Sequence, residues 1–109
     1  MNYQNITAIV RTERLKHVEE ALIDAGVEGI TVTGCKGFGH YGDFFRKDFL
    51  VPHVRLDIFT TSDHVDRLVQ AIMEAAHTGT PGDGLVTVSP VECVYRIRTK
   101  APATNIDIH

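Results

Sequence analysis

Along residues 5–11, Ile6, Ala8 and Val10 alternate with Thr7 and Ile9, and this period of two predicts a β-strand. The period then changes to that of a helix. Across residues 13–25, Leu15, Val18, Leu22 and Ala25 recur on one helical face while Arg14, Glu19, Glu20 and Asp24 lie mostly off it. Thr12 is a candidate cap for that helix and Gly26 a candidate stop. The β-branched run Gly29-Ile30-Thr31-Val32-Thr33 opens a second strand heading for Gly37. A third strand, residues 53–60, sets Val54, Leu56 and Ile58 on one face and Arg55, Asp57 and Phe59 on the other. Ser62 can cap a second helix, whose wide stripe of Val65, Leu68, Val69, Ile72, Ala75 and Ala76 suits packing on a sheet. Leu85-Val86-Thr87-Val88 is a fourth strand, which Pro90 either breaks or places at an edge. Residues 91–99 predict a last strand with Val94, Arg96 and Arg98 on one face and Cys93, Tyr95 and Ile97 on the other. The tail, residues 100–109, shows no core pattern and is expected to be ordered only by contact.

The order β-α-β-β-α-β plus one extra strand predicts an α+β, ferredoxin-like domain with both helices on one face of an antiparallel sheet. The other face carries apolar residues too, Ile9 and Phe59 among them, so further copies of the chain in a closed ring are expected to cover it. With 109 residues, 43% hydrophobic and 23% charged, residues 1–109 make one domain with a small core. A net charge of −3 argues against nucleic acid as a partner. No run approaches a membrane span and the start, Met1-Asn2-Tyr3-Gln4-Asn5, lacks the parts of a signal peptide, so the expected location is cytoplasmic without membrane insertion. Cys35 and Cys93 lack the spacing of a zinc or redox motif and are expected to be buried thiols in strands.

Two stretches break the periodic pattern. Residues 38–52 hold five of the eight aromatic residues, Phe38, Tyr41, Phe44, Phe45 and Phe49, mixed with charges. Such a loop either folds back on its own domain or offers anchors to a partner. The other stretch is Thr78-Gly79-Thr80-Pro81-Gly82-Asp83-Gly84, whose glycines can bring main-chain N–H groups together on an anion. On propensity alone the same residues make a plain turn. Arg96 and Arg98, one residue apart in a strand, share a face and could close a phosphate site, although such pairs are often just solvated. The six histidines show no metal-ligand spacing; an approach of His40 to His53 across the loop base is the weaker alternative to surface positions. No nucleophile-base arrangement or paired carboxylate motif is legible, so no enzyme is expected.

Taken together and in this order, Ile6-Thr7-Ala8-Ile9-Val10-Arg11, Gly29-Ile30-Thr31-Val32-Thr33, Lys36-Gly37-Phe38-Gly39, the 78–84 loop and Tyr95-Arg96-Ile97-Arg98-Thr99 resemble the PII signal transduction (nitrogen regulatory protein P-II) family over nearly the whole chain. The resemblance implies a homotrimer with adenine-nucleotide sites in the clefts between subunits. It also implies a T-loop, about residues 39–52, that docks on a membrane transporter or metabolic enzyme through Tyr41, Phe44, Phe45 and Phe49. Carried over, Thr31 and Phe59 lie around the adenine with Asp57 nearby, and Gly37, Phe38, Gly39 and His40 stand at the loop base near the phosphates. The B-loop, about residues 78–85, brings Thr78, Gly79, Thr80, Pro81, Gly82, Asp83, Gly84 and Leu85, with backbone donors from Gly82, Asp83 and Gly84. Arg96 and Arg98, opening a C-terminal segment 96–109, come from the adjacent subunit.

The departures from that family also carry meaning. Leu85 stands where the family has lysine and His40 where it has arginine, which predicts a shift from ATP towards ADP or AMP. Tyr41 replaces the glutamine that helps hold magnesium and His53 replaces a lysine, so ordinary 2-oxoglutarate sensing is not expected. The T-loop is several residues shorter than usual, and Tyr41 stands too near its base to serve as a uridylylation site. These traits resemble divergent PII-like branches near carboxysome and bicarbonate-transport genes, which implies AMP, ADP, cyclic AMP or bicarbonate as the effector. No resident cofactor or metal is implied. The alternative is a trimeric metal-binding or structural adaptor resembling the CutA family.

Overall fold

The computed structural model describes residues 2–35 and 52–104. Gly37, Phe38, Gly39, His40, the aromatic residues Tyr41, Phe44, Phe45 and Phe49, and residues 105–109 therefore lie outside the described residues, as does most of the segment expected to form the T-loop.

Four antiparallel strands form the main sheet: β1 (Tyr3–Arg11), β2 (Thr31–Cys35), β3 (His53–Thr61) and β4 (Gly84–Val91), in the order β2-β3-β1-β4. Helices α1 (Leu15–Asp24) and α2 (Ser62–Ala76) connect β1 to β2 and β3 to β4, which is the ferredoxin-like arrangement. Ile6, Ala8, Val10, Leu56 and Ile58 face Val18, Leu22, Leu68 and Ile72 in one core. Each such Val, Leu or Ile side chain withdrawn from water stabilises the fold by roughly 1.5–3 kcal/mol. Both helical stripes read from the sequence are the ones that pack on the sheet.

The caps differ from expectation. A short 3₁₀ turn, Thr12–Arg14, precedes α1, and Thr12 makes no side-chain cap; its N–H donates to the Pro52 carbonyl at 3.0 Å. The N-cap of α2 is Thr61, again without a side-chain cap, while the Ser62 hydroxyl donates to the Asn2 carbonyl. The α1 segment leaves β1 through that turn and α2 leaves β3 directly, and at both starts tertiary partners take the place of a local cap. The stop at Gly26 is as read: φ is +93°, the Gly26 N–H donates to Ile23 O at 2.9 Å and the Val27 N–H to Leu22 O at 3.0 Å. This is a Schellman ending with Val27 folded into the core. At the end of α2 the Arg14 guanidinium donates twice to the Ala75 carbonyl, at 3.0 and 2.7 Å, and so ties the start of one helix to the end of the other.

Four expectations need correction. Residues 91–99 are not one strand, because β4 runs through Pro90 to Val91 at the sheet edge, where a missing N–H costs no ladder bond. Beyond it lies a small hairpin of β5 (Tyr95–Arg96) and β6 (Ala101–Pro102), closed by a turn in which Lys100 has φ +57° and donates to Arg96 O at 2.9 Å. Arg98 is therefore a turn residue, and it does not alternate with Arg96 along a strand. Part of the tail is also ordered within the chain: Ala103 N–H donates to Val94 O at 2.7 Å, and the Tyr3 hydroxyl donates to Ala103 O at 2.8 Å. Cys93 sits in the connection after β4 and is exposed, since no sheet face is there to bury it. Finally, Ile9 is 1% exposed and already covered within the chain, beside half-buried Arg55 and Leu85, whereas Phe59 on the same face is 51% exposed.

Gly84 joins the glycine-rich loop to β4 with φ +107°, and a Cβ there would be driven into the carbonyl oxygen of Ile9. Gly84→Ala is expected to cost at least about 2 kcal/mol in urea unfolding, the left-handed penalty adding to a backbone clash. Gly29→Ala, with nothing within 4 Å of the new methyl, is expected to change stability by under about 1 kcal/mol.

Candidate functional site

The loop between α2 and β4 is built around one carboxylate. Asp83 Oδ2 accepts the N–H of Thr78 at 2.8 Å and of Gly79 at 2.9 Å, and Oδ1 accepts the Thr78 hydroxyl and, at 3.3 Å, Arg11 Nε. Gly79 and Gly82, with φ +83° and +90°, make the bends that bring those donors round. Burial alone would push the Asp83 carboxyl up; the hydrogen bonds from Thr78, Gly79 and Arg11 outweigh it and hold the group well below the usual carboxylate range.

Arg11, the last residue of β1, lies under the loop and is 7% exposed. Its Nη2 donates to Thr80 Oγ1 at 2.9 Å and to the Pro81 carbonyl at 2.6 Å. Directly across the ladder, His53 opens β3 and is 9% exposed, with Nε2 2.8 Å from the Gly82 carbonyl. A carbonyl only accepts, so Nε2 carries the proton in that bond. Arg11 did not stand among the expected site residues, and His53 was read only as the replacement of a family lysine and as a weaker candidate to approach His40. The pattern that could have flagged Arg11 is a charge closing an otherwise apolar strand. A cleft of about 290 Å³ opens between α2 and β4 beside the loop, with Ile72, Met73, Ala76 and Leu85 among its mostly apolar walls.

The expected donors divide. The N–H groups of Thr78 and Gly79 are turned inward onto Asp83 and that of Thr80 lies 3.4 Å from Thr78 Oγ1. The N–H groups of Gly82 and Asp83 meet no acceptor among the described residues. Gly84 and Leu85 already belong to β4. The Asp83 side chain organises the loop from within.

The remaining candidates lie elsewhere on the open face of the sheet. Thr31 pairs with Asp57 across β2 and β3, and Phe59 is the diagonal neighbour of Thr31 on that face, so these three come together. Asp57 accepts from Arg55 Nε at 2.9 Å, Arg55 Nη2 at 3.2 Å and Thr7 Oγ1 at 2.8 Å. Burial pushes its carboxyl up, and these donors more than offset that, leaving it below the ordinary value. Beside it, Asn5 Oδ1 is buried without a partner among the described residues. The hairpin bearing Arg96 and Arg98 is attached at the Tyr3 end of β1, while the 78–84 loop sits on Arg11 at the other end. Eight residue steps separate Tyr3 from Arg11, about 27 Å along a strand.

Comparison with known proteins matches this fold to one family. The family model described as Nitrogen regulatory protein P-II covers residues 3–101. The chain belongs to the P-II family. Among curated relatives, the Nitrogen regulatory protein P-II of Azospirillum brasilense is 43% identical over 104 residues, 88% of this chain and 92% of that protein. That of Pasteurella multocida is 42% identical over the same shares. A crystal structure of Arabidopsis thaliana PII bound to citrate superposes with a TM-score of 0.79 at 35% identity, covering 94% of this chain and 90% of that one. P-II proteins are regulators of signal transduction that act on partner proteins, and this chain is one of them. Among its described residues no helix is long and apolar enough to cross a membrane.

Because the Asp83 carboxyl titrates below its unfolded value of 3.8, its stabilisation is complete above that value and is lost as pH falls through it towards the lowered one. Asp83→Asn is expected to lower stability by about 1–2 kcal/mol at neutral pH. In urea unfolding at several pH values, the gap between variant and parent should be constant from about pH 5 to 8 and narrow in stronger acid.

Proposed function

We propose that this P-II protein is a homotrimeric regulator that binds an adenine nucleotide between subunits, with the phosphates on the 78–84 loop of one protomer and the rest of the ligand against its neighbour. The observation that carries this reading is the separation of the candidate residues. Within one chain the loop and the pair Arg96 and Arg98 stand at opposite ends of β1, too far apart for one phosphate chain to touch both. Two copies side by side bring them together. Thr31, Asp57 and Phe59 belong with the arginine half, which leaves Phe59 available to stack on a base. The hairpin tip, with Ile97 94% exposed and Tyr95 also exposed, presents apolar surface that a neighbouring copy would cover.

Charge decides the ligand preference. On the loop itself Asp83 is balanced by Arg11, and Leu85 adds no cation, so the loop carries almost no net positive charge. Compensation for the phosphates then falls to the neighbour's arginines, which favours ADP or AMP over ATP and makes binding salt-sensitive. That Arabidopsis thaliana PII was crystallised with citrate supports the general reading that proteins of this fold hold compact polyanions. The regulated partner is a transporter or metabolic enzyme engaged through the residues between β2 and β3, and the protein acts in the cytoplasm without catalysing a reaction. Family membership favours this over a metal-binding adaptor of the CutA kind.

Sedimentation of the purified protein should give a trimer. Calorimetry with ATP, ADP, AMP and cyclic AMP, with and without bicarbonate, should show micromolar binding of at least one nucleotide. Arg96→Ala and Arg98→Ala should each weaken it about tenfold or more, since a guanidinium fork to phosphate is worth roughly 1.5–3 kcal/mol. A monomer, or affinity unchanged in both variants, would remove the intersubunit site.

A further inference from the structure

We infer that Arg11 and His53 act together as a clamp that aims the amides of Gly82 and Asp83 out of the loop, making them positioning residues for an anion such as a pyrophosphate group. The two face each other across β1 and β3, both more than nine-tenths buried, directly beneath the loop. Arg11 donates to the carbonyl of Pro81 and His53 to the carbonyl of Gly82. In a trans peptide the C=O and the following N–H lie in one plane and point in opposite directions, and none of the described peptides is cis. Holding the Pro81 carbonyl downward therefore turns the Gly82 N–H upward, and holding the Gly82 carbonyl downward does the same for the Asp83 N–H. These are the same two N–H groups that meet no acceptor among the described residues.

The remaining contacts strengthen the clamp. Arg11 also engages Thr80 Oγ1 and Asp83 Oδ1, so four consecutive loop residues, Thr80 to Asp83, are held by two side chains. Because the donors come from strand residues, the loop is shaped before any ligand arrives and little ordering cost remains at binding. What the loop itself offers an anion settling on the two amides is main-chain dipoles, since Arg11 is committed beneath them to Asp83 and the carbonyl.

The inference deepens the proposed phosphate site and rests on it for the identity of the ligand, so its test uses pyrophosphate as well as ADP. In the full-length protein, amide resonances of Gly82 and Asp83 should shift on adding pyrophosphate. In His53→Ala that shift should be lost and ADP affinity should fall about tenfold while adenosine affinity stays within about twofold, a split that general destabilisation would not produce. His53→Gln, which keeps an N–H donor at that place, should recover most of the ADP affinity. Arg11→Ala should behave as His53→Ala does; should it fail to fold, the two His53 variants decide the matter. Pyrophosphate shifts without ADP binding would uphold the clamp and discard the nucleotide. Amides that do not respond in the parent protein, or respond equally in His53→Ala, would overturn the clamp.

Discussion

A single carboxylate, Asp83, closes the loop that the candidate site depends on, and a single guanidinium, Arg11, helps offset its partial burial. Removing a carboxylate from water is costly unless hydrogen bonds and an opposite charge replace the lost hydration. Two main-chain amides, a threonine hydroxyl and the Arg11 fork supply that replacement here. The same set of bonds sets the spacing between the end of α2 and the start of β4, and Gly84 then admits the chain past Ile9 into the ladder. Stability and the candidate site are thus served by one arrangement: the bonds that satisfy Asp83 consume the amides of Thr78 and Gly79 and leave those of Gly82 and Asp83.

The sheet separates chemistry from assembly. Its helix-covered face holds the core and carries no candidate for ligand contact. The opposite face is polar in the middle, where Thr7, Arg55 and Asp57 satisfy one another, and apolar towards Phe59. The glycine-rich loop stands at one end of β1 and the hairpin bearing Arg96 and Arg98 at the other.

Most of the architecture was readable from periodicity. The stripes of α1 and α2, the alternation in β1 and β3, and the stop at Gly26 are each decided by neighbours within a few residues, where pattern and physics coincide. The capping residues were misread because Thr12 and Ser62 look like local caps while their backbone partners come from Pro52 and Asn2. The final strand was misread for a similar reason: the alternation over residues 91–99 is real in the sequence, but it continues past the end of β1, so Tyr95 and Arg96 pair instead with Ala101 and Pro102. Within the site, the loop's glycines and the two arginines were legible. Arg11 and His53 were not, because 72 residues separate Arg11 from Asp83 and 29 separate His53 from Gly82.

By itself the chain determined the order of its four main strands and two helices, its family and the glycine bends of the 78–84 loop, since these rest on local spacing and on the tolerance of glycine for positive φ. Only the tertiary structure decided which amides face inward, which side chains hold them so, and that the arginine hairpin and the loop attach at opposite ends of β1 within one protomer. Those outcomes depend on strand register, which places Arg11 opposite His53 and both beneath residues 80–83, and register is a property of paired strands that no single stretch contains.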